Sequence, residues 1–324
     1  MDFGAHLPLI SFDGRPRSLG RLLRYAEIAE GLGFAAISAN DHLLFPRPWL
    51  DGPTALAAVI PATGHMDLMT TVALPVVRNP VPLAKGLAAI DILSDGRLVA
   101  GVGPGSSARD YAAVGIPFEQ RWKRLDEAVR ALRTLWGTES PPVDDEFYST
   151  EGVVLEPRPA RRPPIWIGSW GSEAGLRRVA RLGDGWLASA YNTTPEAFAA
   201  ARGRLGEHLR AAGGDPDLFP NAIATMFFHV TEDRATAERI VGDVLSPMLG
   251  RPEAELRRRL LVGPAEECAE KVLAFREAGA GRLLLWPVED ELRQLAAFRE
   301  KVVPAVGEPG GGRKQVNLER GGTL

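Results

Sequence analysis

The triplet Asn40-Asp41-His42 stands one residue after the short apolar run Phe34-Ala35-Ala36-Ile37-Ser38. A His beside an Asp at a strand end can be oriented and tuned toward neutral pH, as a general acid or base requires. The same triplet also suits a plain turn, with His42 as an exposed bystander. A second segment, Gly101-Val102-Gly103-Pro104-Gly105-Ser106-Ser107, follows the run Leu98 to Val102. Its glycines let the backbone approach a ligand closely, and exposed N–H groups in such a loop suit an anion. The dinucleotide-binding pattern is incomplete, because its third Gly is missing and no helix starts at once. In Ile167-Gly168-Ser169-Trp170-Gly171-Ser172-Glu173, a strand passes into a helix for which Ser172 is an N-cap. Free N–H groups at such an end form a ready phosphate site, and ordinary capping explains the residues equally well. Thr70-Thr71-Val72-Ala73-Leu74-Pro75 reads only as a buried strand.

Every one of these segments sits on or just after a strand, and the strands recur with helices between them. The strand runs are Phe3 to Leu9, Phe34 to Ser38, Leu68 to Leu74, Leu98 to Val102, Pro164 to Gly168, Trp186 to Ser189, Ala222 to Val230 and Leu283 to Trp286. The helices between them include one capped by Ser18, one from Pro53 to Val59, one from Leu83 to Leu93, one from Pro195 to Ala212 and one from Pro264 to Ala278. In the helix from Phe118 to Trp136, Phe118, Trp122, Leu125, Val129, Leu132 and Trp136 fall on one stripe, which reads as core. Continuous apolar strands suggest a parallel sheet covered by helices, and about eight units favour a closed ring over an open sheet. The expected fold is an α/β (β/α)₈ TIM barrel with insertions, one unit over residues 1–306. Residues 138–163, rich in Pro and charge, read as an inserted excursion with β-like pieces at Glu146 to Tyr148 and Val153 to Leu155. The tail, residues 307–324, buries little and is expected to be disordered.

Composition narrows the function further. Thirty-eight Lys and Arg against 41 Asp and Glu give a net charge of −3, without the concentrated basic surface that nucleic acid needs. No run of about 18 apolar residues is present, so no membrane span is expected. A single cysteine, Cys268, excludes an intramolecular disulfide and suits a reducing compartment, so the expected location is cytoplasmic. Cys268 itself reads as a small core residue on a helix. His6, His42, His65, His208 and His229 have no metal-ligand spacing, which counts against a metal hydrolase and leaves no metal expected. His208 and His229 read as a helix-surface and a strand-end residue, and His6, on the first strand, is in a place from which it can face a cavity.

Taken in order, these segments resemble the luciferase-like monooxygenase superfamily, over roughly residues 1–300. The resemblance rests on Asp41-His42, Arg78-Asn79-Pro80 with Leu83-Ala84-Lys85, Asp91 to Leu98, Gly101 to Gly105, Gly115-Ile116-Pro117-Phe118 with Arg121 and Arg124 to Glu127, Pro164 to Gly168, and Ala180 to Trp186. Its members are (β/α)₈ barrels that bind reduced FMN or the deazaflavin coenzyme F420 at the carboxyl-terminal mouth. The chain is most similar to the F420 branch. By that resemblance His42 exchanges a proton near the ring and Asp41 lies at the cofactor edge. It also implies that Thr71-Val72 forms a non-prolyl cis peptide bulging behind the ring. Gly103, Pro104, Gly105 and Ser106 would line the cofactor's linker or phosphate, and Gly168, Ser169, Trp170 and Gly171 its phosphate side. Relatives that oxidise sugar phosphates carry an acidic residue where this chain has Ser106, which puts that reaction in doubt.

The expected function is hydride transfer between F420 and a small organic substrate. The alternatives are an FMN-dependent two-component monooxygenase and a non-catalytic member that only binds ligand. A homodimer is implied by the resemblance. The substrate loops, residues 43–52, 106–117 and 138–163, carry no pattern that names a chemical class.

Overall fold

Short apolar strands with no polar face are stable only when both faces are covered, and parallel pairing with crossover helices provides that cover. The computed structural model describes residues 1–12, 14, 17–137 and 141–307. Its first half runs β1 (Asp2–His6), α1 (Leu19–Gly31), β2 (Ala36–Ala39), α2 (Gly52–Ala58), β3 (Asp67–Thr70), α3 (Pro80–Leu93), β4 (Leu98–Val102), α4 (Ala108–Ala113) and α5 (Arg121–Trp136). The second half begins with β5 (Ile165–Gly168), α6 (Glu173–Leu182), β6 (Gly185–Ser189), α7 (Pro195–Ala211), β7 (Asn221–Val230), α8 (Arg234–Arg239), α9 (Ser246–Leu249) and α10 (Glu253–Arg259). It ends with β8 (Leu261–Gly263), α11 (Ala265–Glu277), β9 (Arg282–Pro287), α12 (Glu291–Ala297) and α13 (Val303–Val306).

Strands β1 to β7 pair in sequence order, β9 pairs with both β7 and β1, and every pairing is parallel. Eight strands therefore close a ring. The ninth, β8, lies outside it and pairs only with the far end of β7, Phe228 to Val230. Inside the ring Ala36, Met69, Trp166, Leu187, Ala222, Ala224 and Leu284 form a separate buried cluster. Large side chains there lie over glycine on the neighbouring strand: a Cβ on Gly185 would fall 2.5 Å from the Trp166 ring, and one on Gly4 2.5 Å from Leu284 Cδ2. The interior there is thus a packed core, and the cavity lies at the carboxyl ends of the strands.

Several expectations need correction. Glu146 to Tyr148 and Val153 to Leu155 form no strands; that segment has one isolated antiparallel bridge, Asp144 to Ser149. The helix expected from Phe118 starts at Arg121, after a 3-10 turn over Phe118–Gln120. The loop after β4 contains α4, capped by Ser107. Two helices, α12 and α13, follow β9 where no further element was expected. The tail expected to be disordered lies, apart from Gly307, outside the described residues. Among the described residues no helix is long and apolar enough to cross a membrane.

Cys268 meets its expectation: it is buried on α11, its thiol faces the Gly263 carbonyl at 3.7 Å, and burial pushes its pKa up to about 12. His208 sits on α7 with Nε2 2.8 Å from Glu173 Oε1, and His229 is buried on β7 with Nδ1 donating to Val288 O at 2.6 Å.

Candidate active site

At the carboxyl rim the loops after β2, β3, β4 and β5 converge with the ends of β6 and β7 around a cavity of about 400 Å³. Asp41, His42, Thr71, Val72, Gly103, Pro104, Gly105, Ser106, Gly168, Ser169 and Trp170 all line it. Of the residues that the resemblance assigns to proton exchange or to the cofactor, Gly171 alone is not among the lining residues. Its N–H donates to Ser169 Oγ at 3.3 Å and its carbonyl accepts from Arg204 at 2.9 Å.

The loop after β2 is held from both sides. Asn40 N–H donates to His6 Nε2 at 2.9 Å, and Asn40 Oδ1 accepts the Val72 N–H at 2.7 Å. Asp41 is buried; its carboxylate takes both Nε and Nη2 of Arg78 at 2.7 Å and the Leu74 N–H at 3.2 Å. Arg78 also reaches Asp51, which caps α2 through the Thr54 N–H at 3.0 Å. Asp41 therefore borders the cavity with its oxygens already engaged by this fork. The hydrogen bonds to Asp41 are the main reason the Arg78 guanidinium holds its proton above the ordinary value. The Thr71–Val72 bond is cis, as the resemblance implied.

His42 has a partner that the sequence did not point to. Its Nδ1 lies 2.9 Å from Asp110 Oδ2, while Asp110 Oδ1 accepts the Leu44 N–H at 2.8 Å. Asp110 is 1% exposed. Ser107 starts α4 by accepting the Asp110 N–H at 3.2 Å, and the helix then presents Asp110 to the imidazole. Ser107-Ala108-Arg109-Asp110 is a Ser-x-x-acid capping pattern, which was the available signal. Tyr111, next on α4, donates to Pro104 O at 2.6 Å and so fixes the Gly-rich loop to the same helix. On its other side the His42 ring meets Trp49 edge-on at 4.7 Å and Phe45 at 5.2 Å. An imidazole whose Nδ1–H is committed to a buried carboxylate offers Nε2 as its remaining proton-exchanging atom.

Phe118 and Trp122, expected in the core, line the cavity instead, and Trp122 is 38% exposed. Arg121 stacks over Phe118 at 4.0 Å, and Arg178 lies over the Trp122 ring at 4.8 Å. Leu125, Val129, Leu132 and Trp136, further along the stripe, are core as expected.

His6 does not face the cavity. It is fully buried, stacked on Trp286 at 3.6 Å, with Nδ1 donating to Leu7 O at 2.7 Å and Nε2 accepting from Asn40. Burial lowers its pKa to about 3, against about 6.5 in an unfolded chain. Between those values the unfolded chain binds a proton that the folded one does not. Stability is therefore lost as pH falls from about 6.5 toward 3, by up to about 1.4 kcal/mol per pH unit. Urea unfolding across this range will show that slope, and His6→Gln will flatten it; an equal slope in the variant would assign the loss elsewhere.

The fold finds its counterparts among known proteins. Residues 4–282 match the family described as luciferase-like monooxygenase, and the chain belongs to that family. It is 28% identical over 309 residues to the F420-dependent hydroxymycolic acid dehydrogenase of Mycobacterium tuberculosis, covering 88% of this chain and 84% of that one. To the F420-dependent glucose-6-phosphate dehydrogenase of Segniliparus rotundus it is 27% identical over 315 residues, covering 87% and 92%. Among solved structures, an F420-dependent secondary alcohol dehydrogenase in complex with an F420-acetone adduct superposes with a TM-score of 0.81 at 21% identity, covering 95% of this chain and 99% of that one. The monooxygenase RslO1 from Streptomyces bottropensis gives 0.80 at 25% identity, with 95% and 100% covered.

Proposed function

We propose that this chain is an oxidoreductase that uses coenzyme F420 to transfer a hydride to or from an alcohol or carbonyl compound, with His42 exchanging the proton. The observation that carries the reading is the cavity-lining imidazole backed by buried Asp110, beside residues that fit a cofactor. Thr71 supplies the fit: it lines the cavity, is 3% exposed, and its hydroxyl has no partner among the described residues, although a buried hydroxyl ordinarily has one. Gly103 and Gly168 leave room on either side of Val72, since Cβ atoms there would meet its methyl groups at 2.8 and 3.1 Å. Thr71, Val72, Gly103 to Ser106 and Gly168 to Trp170 would hold the coenzyme along the β3–β5 wall. The curated relatives' dependence on F420 supports the same choice.

When bound, F420 supplies a two-electron hydride acceptor or donor, and the protein supplies orientation and proton handling. As an alcohol carbon loses its hydride, His42 Nε2 takes the hydroxyl proton, and Asp110 stabilises the resulting imidazolium. In the reverse direction the imidazolium returns that proton to the carbonyl oxygen. Arg78, through Asp41, keeps the loop that carries His42 at the rim.

Fluorescence titration of the purified protein with F420 and with FMN tests the cofactor; saturable F420 binding is expected, and binding of FMN alone would overturn it. That second outcome would favour the two-component monooxygenase reading; the similar RslO1 is a monooxygenase. Thr71→Val is expected to weaken F420 binding about fivefold, the value of one net hydrogen bond; unchanged affinity would release Thr71 from the site. A cytoplasmic homodimer completes the proposal, and the mass of the protein in solution checks its assembly.

A further inference from the structure

The residues proposed to hold the coenzyme occupy the β2 to β5 side of the cavity, which leaves the β6 and β7 wall without an assigned ligand. That wall is Leu187, Ala188, Ser189, Tyr191, Ala224 and Thr225. It is opposite β2, the strand that leads to His42, in the eight-membered ring. It carries no charged side chain. Of the charged residues lining the rest of the cavity, Asp41 is paired with Arg78 and His42 with Asp110, while Arg121, held on the Phe118 carbonyl and ring, belongs to α5 and so to the segment that follows β4.

Thr225 marks the wall as built for a purpose. It adopts φ +56°, a conformation in which a β-branched residue is an outlier. It sits where β7 slips register against β9, between Ile223 and Met226, and such bulges re-aim side chains. Its hydroxyl donates to Ala224 O at 2.6 Å and lies 3.2 Å from Ser189 Oγ. Ser189 Oγ accepts from Asn192 Nδ2 at 3.0 Å, and Arg251 fixes that amide by donating to Asn192 Oδ1 at 2.6 Å. The Tyr191 hydroxyl stands against Ser189 and Asn192, and burial raises its pKa, so it remains a donor. Arg251 and Arg259 approach this cluster from behind. The first is spent on Asn192; the second donates to Tyr191 O at 2.8 Å and pairs with Glu255 at 2.9 Å.

We infer that the β6–β7 wall is the substrate side of the cavity and that it selects an uncharged, largely apolar alcohol or carbonyl compound bearing a second neutral polar group, which the Ser189, Tyr191 and Thr225 hydroxyls hold. The inference rests on the cofactor reading for the direction in which the reacting carbon faces. A phosphate or carboxylate on the substrate would be desolvated against a wall whose lining offers no cation, the nearest guanidinium, Arg251, standing behind the Asn192 amide it holds, at a cost above one hydrogen bond. The apolar Leu187, Ala188 and Ala224 take the body of the molecule, and the hydroxyl cluster takes its distal oxygen.

Saturation-transfer NMR on the whole protein, with and without F420, ranks cyclohexanol, the cyclohexanediol isomers and glucose 6-phosphate as probes. At least one diol is expected to bind about fivefold more tightly than cyclohexanol, for one added hydrogen bond, and glucose 6-phosphate is expected to show no saturable binding. The double variant Ser189→Ala, Tyr191→Phe is expected to erase the diol preference while F420 affinity, read by fluorescence, stays in place. Tighter binding of glucose 6-phosphate than of the neutral probes overturns the inference, as does absence of neutral-probe binding or a diol preference that survives in a folded double variant. The wild-type ranking decides even if that variant fails to fold. Loss of F420 binding by the wild-type protein would instead overturn the cofactor reading, and the ranking measured without F420 distinguishes the two failures.

Discussion

His42→Ala is expected to lower kcat by about 10²–10⁴-fold, the usual contribution of a positioned acid–base group, while F420 still binds. The expectation follows from how the residue is held. Nδ1 is committed to Asp110 at 2.9 Å, Trp49 and Phe45 press on the ring, and the ring lines the cavity beside Val72. A side chain so constrained at a rim, with one ring nitrogen left over, is placed to move a proton and contributes little to packing the barrel core. Removing it should therefore cost turnover far more than stability or cofactor affinity. Stopped-flow measurement of F420 reduction or oxidation, with a fluorescence titration on the same sample, separates these outcomes. Turnover within a few-fold of the parent would remove His42 from the mechanism, and loss of F420 binding would make it a cofactor contact.

The ring of eight strands was legible because each is a continuous apolar run flanked by an amphipathic helix, and that pattern has few packing solutions. Ring strands β1 to β7 and β9 overlap the predicted runs, but β1 ends at His6 and β3 at Thr70, where the runs continue to Leu9 and Leu74; the chain turns at the cis Thr71–Val72 bond, and Thr71 to Pro75 form loop. Strand β8 was not legible: Leu261 to Gly263 is three residues long and pairs outside the ring. Phe118 and Trp122 were misassigned for a different reason. Helical periodicity tells which face turns toward the barrel, but the 3-10 turn over Phe118–Gln120 and the first turn of α5 overhang the rim, so the same face meets a void there. Asp110 was missed because α4 is only six residues long and lies in a loop that reads as Gly-rich and irregular. For His6, strand position alone allows a place facing the cavity. The alternation of a strand does not reveal that Trp286 stacks on the imidazole. The Ser189–Thr225 contact depends on a bulge in β7 that no residue type announces, since Thr is a poor choice for positive φ.

Asp110→Asn should lower turnover by about 10²–10⁴-fold with the fold intact, and the direction of its hydrogen bonds says why. In the parent protein Oδ1 accepts the Leu44 N–H and Oδ2 faces His42 Nδ1, so the imidazole carries its proton on Nδ1 and keeps Nε2 as a base. An Asn can retain the Leu44 bond only through its oxygen, which turns its NH₂ toward Nδ1. The ring then accepts at Nδ1 and must carry its proton on Nε2, the tautomer that cannot take a hydroxyl proton from substrate. The serine-protease Asp, replaced in the same way, costs about 10⁴ in kcat with geometry preserved, which sets the upper end of the range. Asp110 is buried and acts through His42, so its role is one of positioning, and rate alone does not prove it. The nitrogen chemical shifts of His42 in the protein labelled with ¹⁵N report the tautomer directly. A switch from Nδ1–H to Nε2–H together with the rate loss is the expected result. Lost turnover with an unchanged tautomer would reduce Asp110 to a support for the loop after β2, and an unchanged rate with a switched tautomer would show that His42 Nε2 does not accept the proton.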